Sequence, residues 1–112
     1  MTLGVLEVPT SLGPARVHRH EPARSPRGTL LLGHGAGAGS GSADLLAVAE
    51  AGCAAGWRVL RVDQPWVVAG RRIAPAPARL DEGWTAVLGA LAGDGTLAGP
   101  LVLGGRLSLI HI

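Results

Sequence analysis

An α/β fold with a mostly parallel sheet, led by an antiparallel N-terminal hairpin, is what the sequence predicts. Three observations point there. The apolar runs at residues 29–32 (TLLL) and 100–103 (PLVL) are continuous and end in glycine, the habit of strands buried on both faces of a parallel sheet. Leu80, Trp84, Val87, Leu88 and Leu91 fall at i, i+4, i+7, i+8 and i+11, the spacing of one helix face. Strands and helices then alternate along the chain, which implies parallel pairing with right-handed crossovers.

Each element has a local reason. Residues 5–8 and 15–20 form two short strand candidates around the turn-forming stretch 9–14, which holds Pro9 and Pro14. In the second strand Ala15 and Val17 share one face, and Arg16 and His18 the other. Residues 21–27, with Pro22 and Pro26, read as a loop. The strand at 29–32 leads into a glycine-rich stretch, residues 33–41. Ser42 then suits a helix N-cap and Asp44 its first turn, with Leu45, Ala49, Gly52 and Cys53 at helical spacing and Gly56 as terminator. Residues 57–62 form the next strand. Residues 63–78, with Pro65, Gly70, Pro75 and Pro77, read as irregular. The Leu80–Leu91 stripe follows, closed by Gly93 and Gly95, and the strand at 100–103 ends in Gly104-Gly105.

Composition narrows the function. A chain of 112 residues suits one small domain, and 47% apolar with 16% charged residues is the balance of a packed protein. All ten basic residues are Arg, while Lys, Asn, Phe and Tyr are absent, a pattern that suggests GC-rich coding. The net charge is only +2 and the arginines are scattered, so no nucleic-acid footprint emerges. The single Cys53 excludes an internal disulfide and reads as a small buried hydrophobe. No signal peptide or membrane-length apolar run is visible, and a cytoplasmic location is expected.

Two segments carry the chemistry. The first, LLLGHGAGAGSG at residues 30–41, is a glycine-rich loop behind a buried strand, able to aim amide N–H groups at a developing negative charge. A flexible turn would use the same glycines. A phosphate-binding P-loop would need a Lys that the chain lacks. A dinucleotide-binding Rossmann-like module is the alternative, since Gly33, Gly35 and Ala38 satisfy G-x-G-x-x-A and Asp63 ends the next strand. The preceding hairpin, His34 within the turn and the long glycine tract argue against it. The second segment, PLVLGGR at residues 100–106, is the lead-in of a nucleophile elbow: strand, Gly, any residue, Ser, any residue, Gly. Gly105 and Arg106 fill the first two positions, but Leu107 occupies the nucleophile position and Leu109 that of the last glycine. Ser108 comes one residue late.

Together these segments resemble the bacterial α/β-hydrolase-like proteins of the dienelactone-hydrolase neighbourhood. There an HGAG-type loop follows the third strand and a GGRSSG-type elbow the fifth. The matching residues are His34-Gly35-Ala36-Gly37 and Gly104-Gly105-Arg106, with Arg61 to Trp66, Gly70-Arg71-Arg72 and Leu80 to Trp84 also similar. The resemblance implies the N-terminal part of an α/β-hydrolase fold. It implies cofactor-independent hydrolysis of small-molecule ester- or thioester-type substrates by a Ser, acid, His triad, with no metal. It also implies that backbone amides near Gly35 and Ala36 form part of the oxyanion hole. In the Ser, acid, His order of that fold the acid and histidine follow the elbow, so none of the histidines present is expected to be catalytic. A non-catalytic α/β-hydrolase-like interaction protein is the other reading.

The remaining chemical side chains have blander expectations. His18 and His20 could share a metal, but a solvated hairpin face is favoured because no third ligand is near. His34 is expected to brace its loop. Asp63, Arg71, Arg72 and Asp81 suit ion pairs. Trp57, Trp66 and Trp84 suit core or loop anchors, with Trp66 as a pocket candidate. The last six residues, LSLIHI at 107–112, hold two of the three isoleucines and none of the Gly, Ala, Arg or Pro that dominate elsewhere. One reading frame of a common transposon-adapter end, CTGTCTCTTATACACATC, encodes this hexapeptide. The expected organisation is a partial domain over residues 1–106 and a non-native tail over 107–112, which leaves the chain catalytically incompetent and Leu101 to Leu103 an uncovered apolar edge.

Overall fold

The computed structural model describes residues 2–34, 41, 43–70, 77–93 and 99–105. The described strands form one five-stranded mixed sheet, ordered β1-β2-β4-β3-β5. They are β1 (Thr2–Thr10), β2 (Gly13–Glu21), β3 (Thr29–Gly33), β4 (Arg58–Asp63) and β5 (Leu101–Gly105); the helices are α1 (Ala43–Ala54), α2 (Pro65–Val68) and α3 (Pro77–Gly93). The hairpin pairs antiparallel within itself and with β4, while β4, β3 and β5 run parallel.

The hairpin is longer than the prolines suggested. Pro9 and Pro14 lie inside the strands, opposite one another, and the turn narrows to Ser11 and Leu12. Proline is tolerated at both places for one reason: neither needs its missing N–H. β1 lies at the sheet edge, and β2 meets β4 only from Arg16 onward. The Thr10 hydroxyl donates to the Gly13 carbonyl (2.6 Å) and accepts from the Leu12 amide (3.1 Å), and Gly13 takes a φ of 112° that favours glycine. At the tip the Ser11 hydroxyl donates to the Glu82 carboxylate of α3 (2.6 Å).

Two cores sandwich the sheet. Leu31, Leu60 and Val62 point to the face where Val8, Ala15 and Val17 of the hairpin meet Trp84, Val87 and Leu91 of α3. Alternate residues Leu32 and Val59 point the other way, onto Leu45 and Ala49 of α1. Cys53 is buried on that helix as a free thiol. The C-terminus of α1 closes through a pair of bonds: the Trp57 amide donates to the Gly52 carbonyl and the Gly56 amide to Cys53, both at 3.0 Å, with Gly56 at φ 93°. The expected N-cap Ser42 lies outside the described residues. So do Arg71, Arg72 and Gly95.

Against the expectation of an irregular stretch over 63–78, Pro65–Val68 makes one helical turn and α3 begins already at Pro77. Gln64 is extended, as a residue before proline must be, and its carbonyl accepts from the Val67 and Val68 amides at 3.0 and 3.1 Å. Proline at the first helical position gives up no hydrogen bond. At the far end of the sheet Leu101, Val102 and Leu103 of β5 are 41%, 48% and 55% exposed, so both faces of that strand meet solvent. No described helix is long and apolar enough to cross a membrane.

Candidate active site

The C-terminal ends of β3, β4 and β5 converge on one edge of the sheet. The parallel register aligns Leu32 with Gly104 and Gly33 with Gly105, so the two glycine-ended strands finish side by side. Gly104 packs closely against the neighbouring strand: a Cβ there would stand 3.3 Å from Leu32 Cδ2 and would require that methyl to give by a few tenths of an ångström. The expected oxyanion-hole residues Gly35 and Ala36, the elbow residue Arg106 and the nucleophile position Leu107 lie outside the described residues.

His34 leaves β3 as a buried side chain. Its Nε2 accepts the backbone N–H of Gln64 at 3.1 Å. An amide can only donate, so Nε2 is the unprotonated nitrogen and the other ring nitrogen carries the proton. The ring also meets Trp66 edge to face, with centroids 5.4 Å apart at 69°. The end of β3 is thereby tied to the turn after β4. Trp66 is a buried anchor on α2, and its indole nitrogen is buried with no hydrogen-bond partner. Sequence reading missed Gln64; the signal available was its place directly before Pro65, at the start of a turn.

Gln64 fastens this edge to α3. Its side-chain NH2 donates to the Leu80 carbonyl at 3.3 Å, and its buried carboxamide oxygen has no hydrogen-bond partner and abuts Gly83. A Cβ on Gly83 would collide with that oxygen. Alanine is the better helix former by about 1 kcal/mol, yet overpacking a filled site costs about 1–3 kcal/mol. Gly83→Ala is therefore expected to lower the urea midpoint, and the same substitution in a Gln64→Ala background to raise it.

The histidines of β2 do not form a solvated face, and their expected exposure is corrected here. His20 is buried and His18 half-buried, because β4 supplies partners for both across the strand pair. His18 Nε2 and the Asp63 carboxylate stand 2.9 Å apart, and Arg61 donates its Nε–H to His20 Nε2 at 2.8 Å. Burial foremost, then the Arg61 and His18 charges, push the His20 pKa down, against an opposing pull from Glu50. Burial also lowers that of Arg61, against Asp63. Asp63, the candidate ribose ligand of the dinucleotide reading, is thus engaged by His18. Among the described residues no three His, Cys, Asp or Glu side chains are grouped to hold a metal. Asp81 is exposed, and Trp57 lies against Gly28.

No protein-family model matches the chain, and no curated protein sequence does. Solved structures do. A lidless α/β serine hydrolase from Xanthomonas campestris matches with a TM-score of 0.79 at 17% identity, over 96% of this chain and 52% of that one. An α/β serine hydrolase homologue from Coxiella burnetii gives 0.79 and 17%, over 96% of this chain and 53% of its own. A thermostable carboxyl esterase from Bacillus coagulans gives 0.66 and 18%, over 92% and 36%. The chain spans about half the length of the first two. At these identities the likeness shows the fold, and that fold is the α/β-hydrolase sheet with its antiparallel entry and parallel continuation.

Proposed function

With the α/β-hydrolase fold as premise, we propose that this chain is the N-terminal part of a serine hydrolase that, at full length, cleaves ester- or thioester-type bonds of small molecules. One observation carries the reading: Gly33 and Gly105 sit in register at the ends of adjacent parallel strands. That pairing sets the strand end that precedes the glycine-rich segment beside the end of the elbow lead-in strand, which supports the acyl-transfer reading.

The roles follow from the resemblance of the two sequence segments. Amides at Gly35 and Ala36 stabilise the oxyanion, and Gly104, Gly105 and Arg106 lead into the elbow. A serine following Arg106 attacks the carbonyl, a histidine takes its proton, and an acid orients the histidine. All three lie in sequence beyond Arg106, and residues 107–112 are a non-native tail. The chain of 112 residues is then inactive, since loss of the nucleophile alone costs about six orders of magnitude. The carboxyl esterase among the similar structures supports an ester-type substrate.

Sequencing the source gene past codon 106 is the primary test. The expected continuation is Ser, any residue, Gly, with a later Asp or Glu and His. Protein made from that reading frame should hydrolyse an activated aryl ester and lose the activity to a serine-reactive phosphonate, while the 112-residue chain should do neither. A continuation without a hydroxyl nucleophile overturns the proposal. A full-length protein that has the triad yet no hydrolase activity favours the interaction-protein reading.

A further inference from the structure

The polar contacts between β2 and β4 do more than fill a face. The β1–β2 hairpin joins the rest of the sheet through β2 alone, along the register from Arg16 opposite Asp63 to His20 opposite Val59. On the α1 side of this seam stand the two side-chain links His18–Asp63 and Arg61–His20. They respond to acid in opposite senses. A proton on His18 strengthens its pairing with the Asp63 carboxylate. A proton on His20 Nε2 removes the lone pair that Arg61 Nε–H uses, and sets imidazolium against guanidinium.

We propose that the Arg61–His20 bond is an acid-sensitive latch that holds the hairpin to β4. Its geometry allows one protonation state only. Guanidinium has no acceptor, so the 2.8 Å contact requires a bare Nε2 on His20. The tautomer this enforces leaves Nδ1–H buried with no partner, which lowers the cost of abandoning the arrangement. The groups facing His20 are His18 on its own strand, Arg61 on β4 and Glu50 on α1, while Leu3 lies opposite it on β1. Only Glu50 favours the charged ring, and it is outweighed by burial and by the electrostatic influence of Arg61 and His18.

The sign follows from linkage. Unfolded, His20 titrates near the ordinary imidazole value of about 6.5; folded, it titrates lower. The unfolded or opened state binds more protons, so the latch is fully effective above about 6.5 and is lost as pH falls through the folded value. Each unit of separation makes opening about tenfold easier.

Amide hydrogen exchange on the 112-residue chain, at about pH 7.5 and about pH 5 and corrected for chemical exchange, reads this directly. Amides at the β2–β4 seam (His18, His20, Val59 and Arg61) should gain protection loss in acid of about tenfold per unit of separation, and Leu31 and Leu32 of β3 much less. In His20→Gln a carboxamide oxygen can accept from Arg61 without titrating, and the seam should become insensitive to acid. His18→Gln should keep the response. A seam indifferent to acid in the native chain, or a response that survives His20→Gln, overturns the latch. If His20→Gln does not fold, the His20 imidazole resonances of the native chain decide: their midpoint must coincide with that of seam exchange, and two separate midpoints overturn it.

Discussion

Leu60→Ala is expected to cost about 2–5 kcal/mol of folding stability, read as a lower urea midpoint at unchanged slope. Leu60 is fully buried at the middle of β4, the strand that joins the antiparallel and parallel halves. It shares a core with Val17 of β2, Leu31 of β3 and Val87 of α3, so truncation opens a void touched by three elements. Backbone pairing on both sides of β4 limits how far the strand can move to close that void. Single domains hold about 5–15 kcal/mol in total, so this loss is a large share. Leu103→Ala is the control: the same chemical change at a side chain 55% exposed should shift stability by no more than about 0.5 kcal/mol. Equal losses at the two positions would show that Leu60 is not the packed centre described.

Gly28→Ala is expected to destabilise by about 1–3 kcal/mol and to detach β5 first. A Cβ at Gly28 would lie 2.6 Å from Trp57 Cζ3 and 2.7 Å from the Pro100 carbonyl oxygen. The indole could swing aside; the carbonyl cannot, because it accepts the Thr29 amide at 2.8 Å where β3 and β5 begin to pair. Alanine would reduce the freedom of the unfolded chain, a gain of about 0.4–1 kcal/mol. The steric conflict with backbone is the larger effect, and it sits at the strand junction. Exchange of the Thr29 and Val102 amides, which bond across the β3–β5 pair, should therefore accelerate before that of Leu60. A rise in stability with Thr29 still protected would refute the close approach.

Much of the architecture is legible locally, for reasons that differ by element. β3 shows as an unbroken apolar run because Leu31 and Leu32 enter opposite cores. α3 shows because Trp84, Val87 and Leu91 face a single core. α2 does not show, since four residues make one turn and one turn has no period; only Pro65 marks it. The prolines of the hairpin signalled a wide turn because sequence does not reveal that β1 is an edge. His20 reads as polar and therefore exposed, yet its partner Arg61 comes from a strand 41 residues away. The same limit applies to the candidate site. The two glycine segments are readable one at a time, but their adjacency depends on β3 lying between β4 and β5, an order no local pattern encodes. Gly35, Ala36, Arg106 and Leu107 lie outside the described residues, so the sequence alone speaks for them.

The split origin of the β2–β4 seam has a consequence for biosynthesis. The hairpin is complete once Glu21 has left the ribosome, whereas its partner strand ends at Asp63, forty-two residues later. At about 5–20 residues per second that interval lasts about 2–8 s, while a hairpin closes within about 1–10 μs. The nascent hairpin must therefore wait with one edge unpaired and with Val8, Ala15 and Val17 uncovered. Chaperone engagement of the emerging chain should be concentrated in that interval and should fall away when β4 arrives.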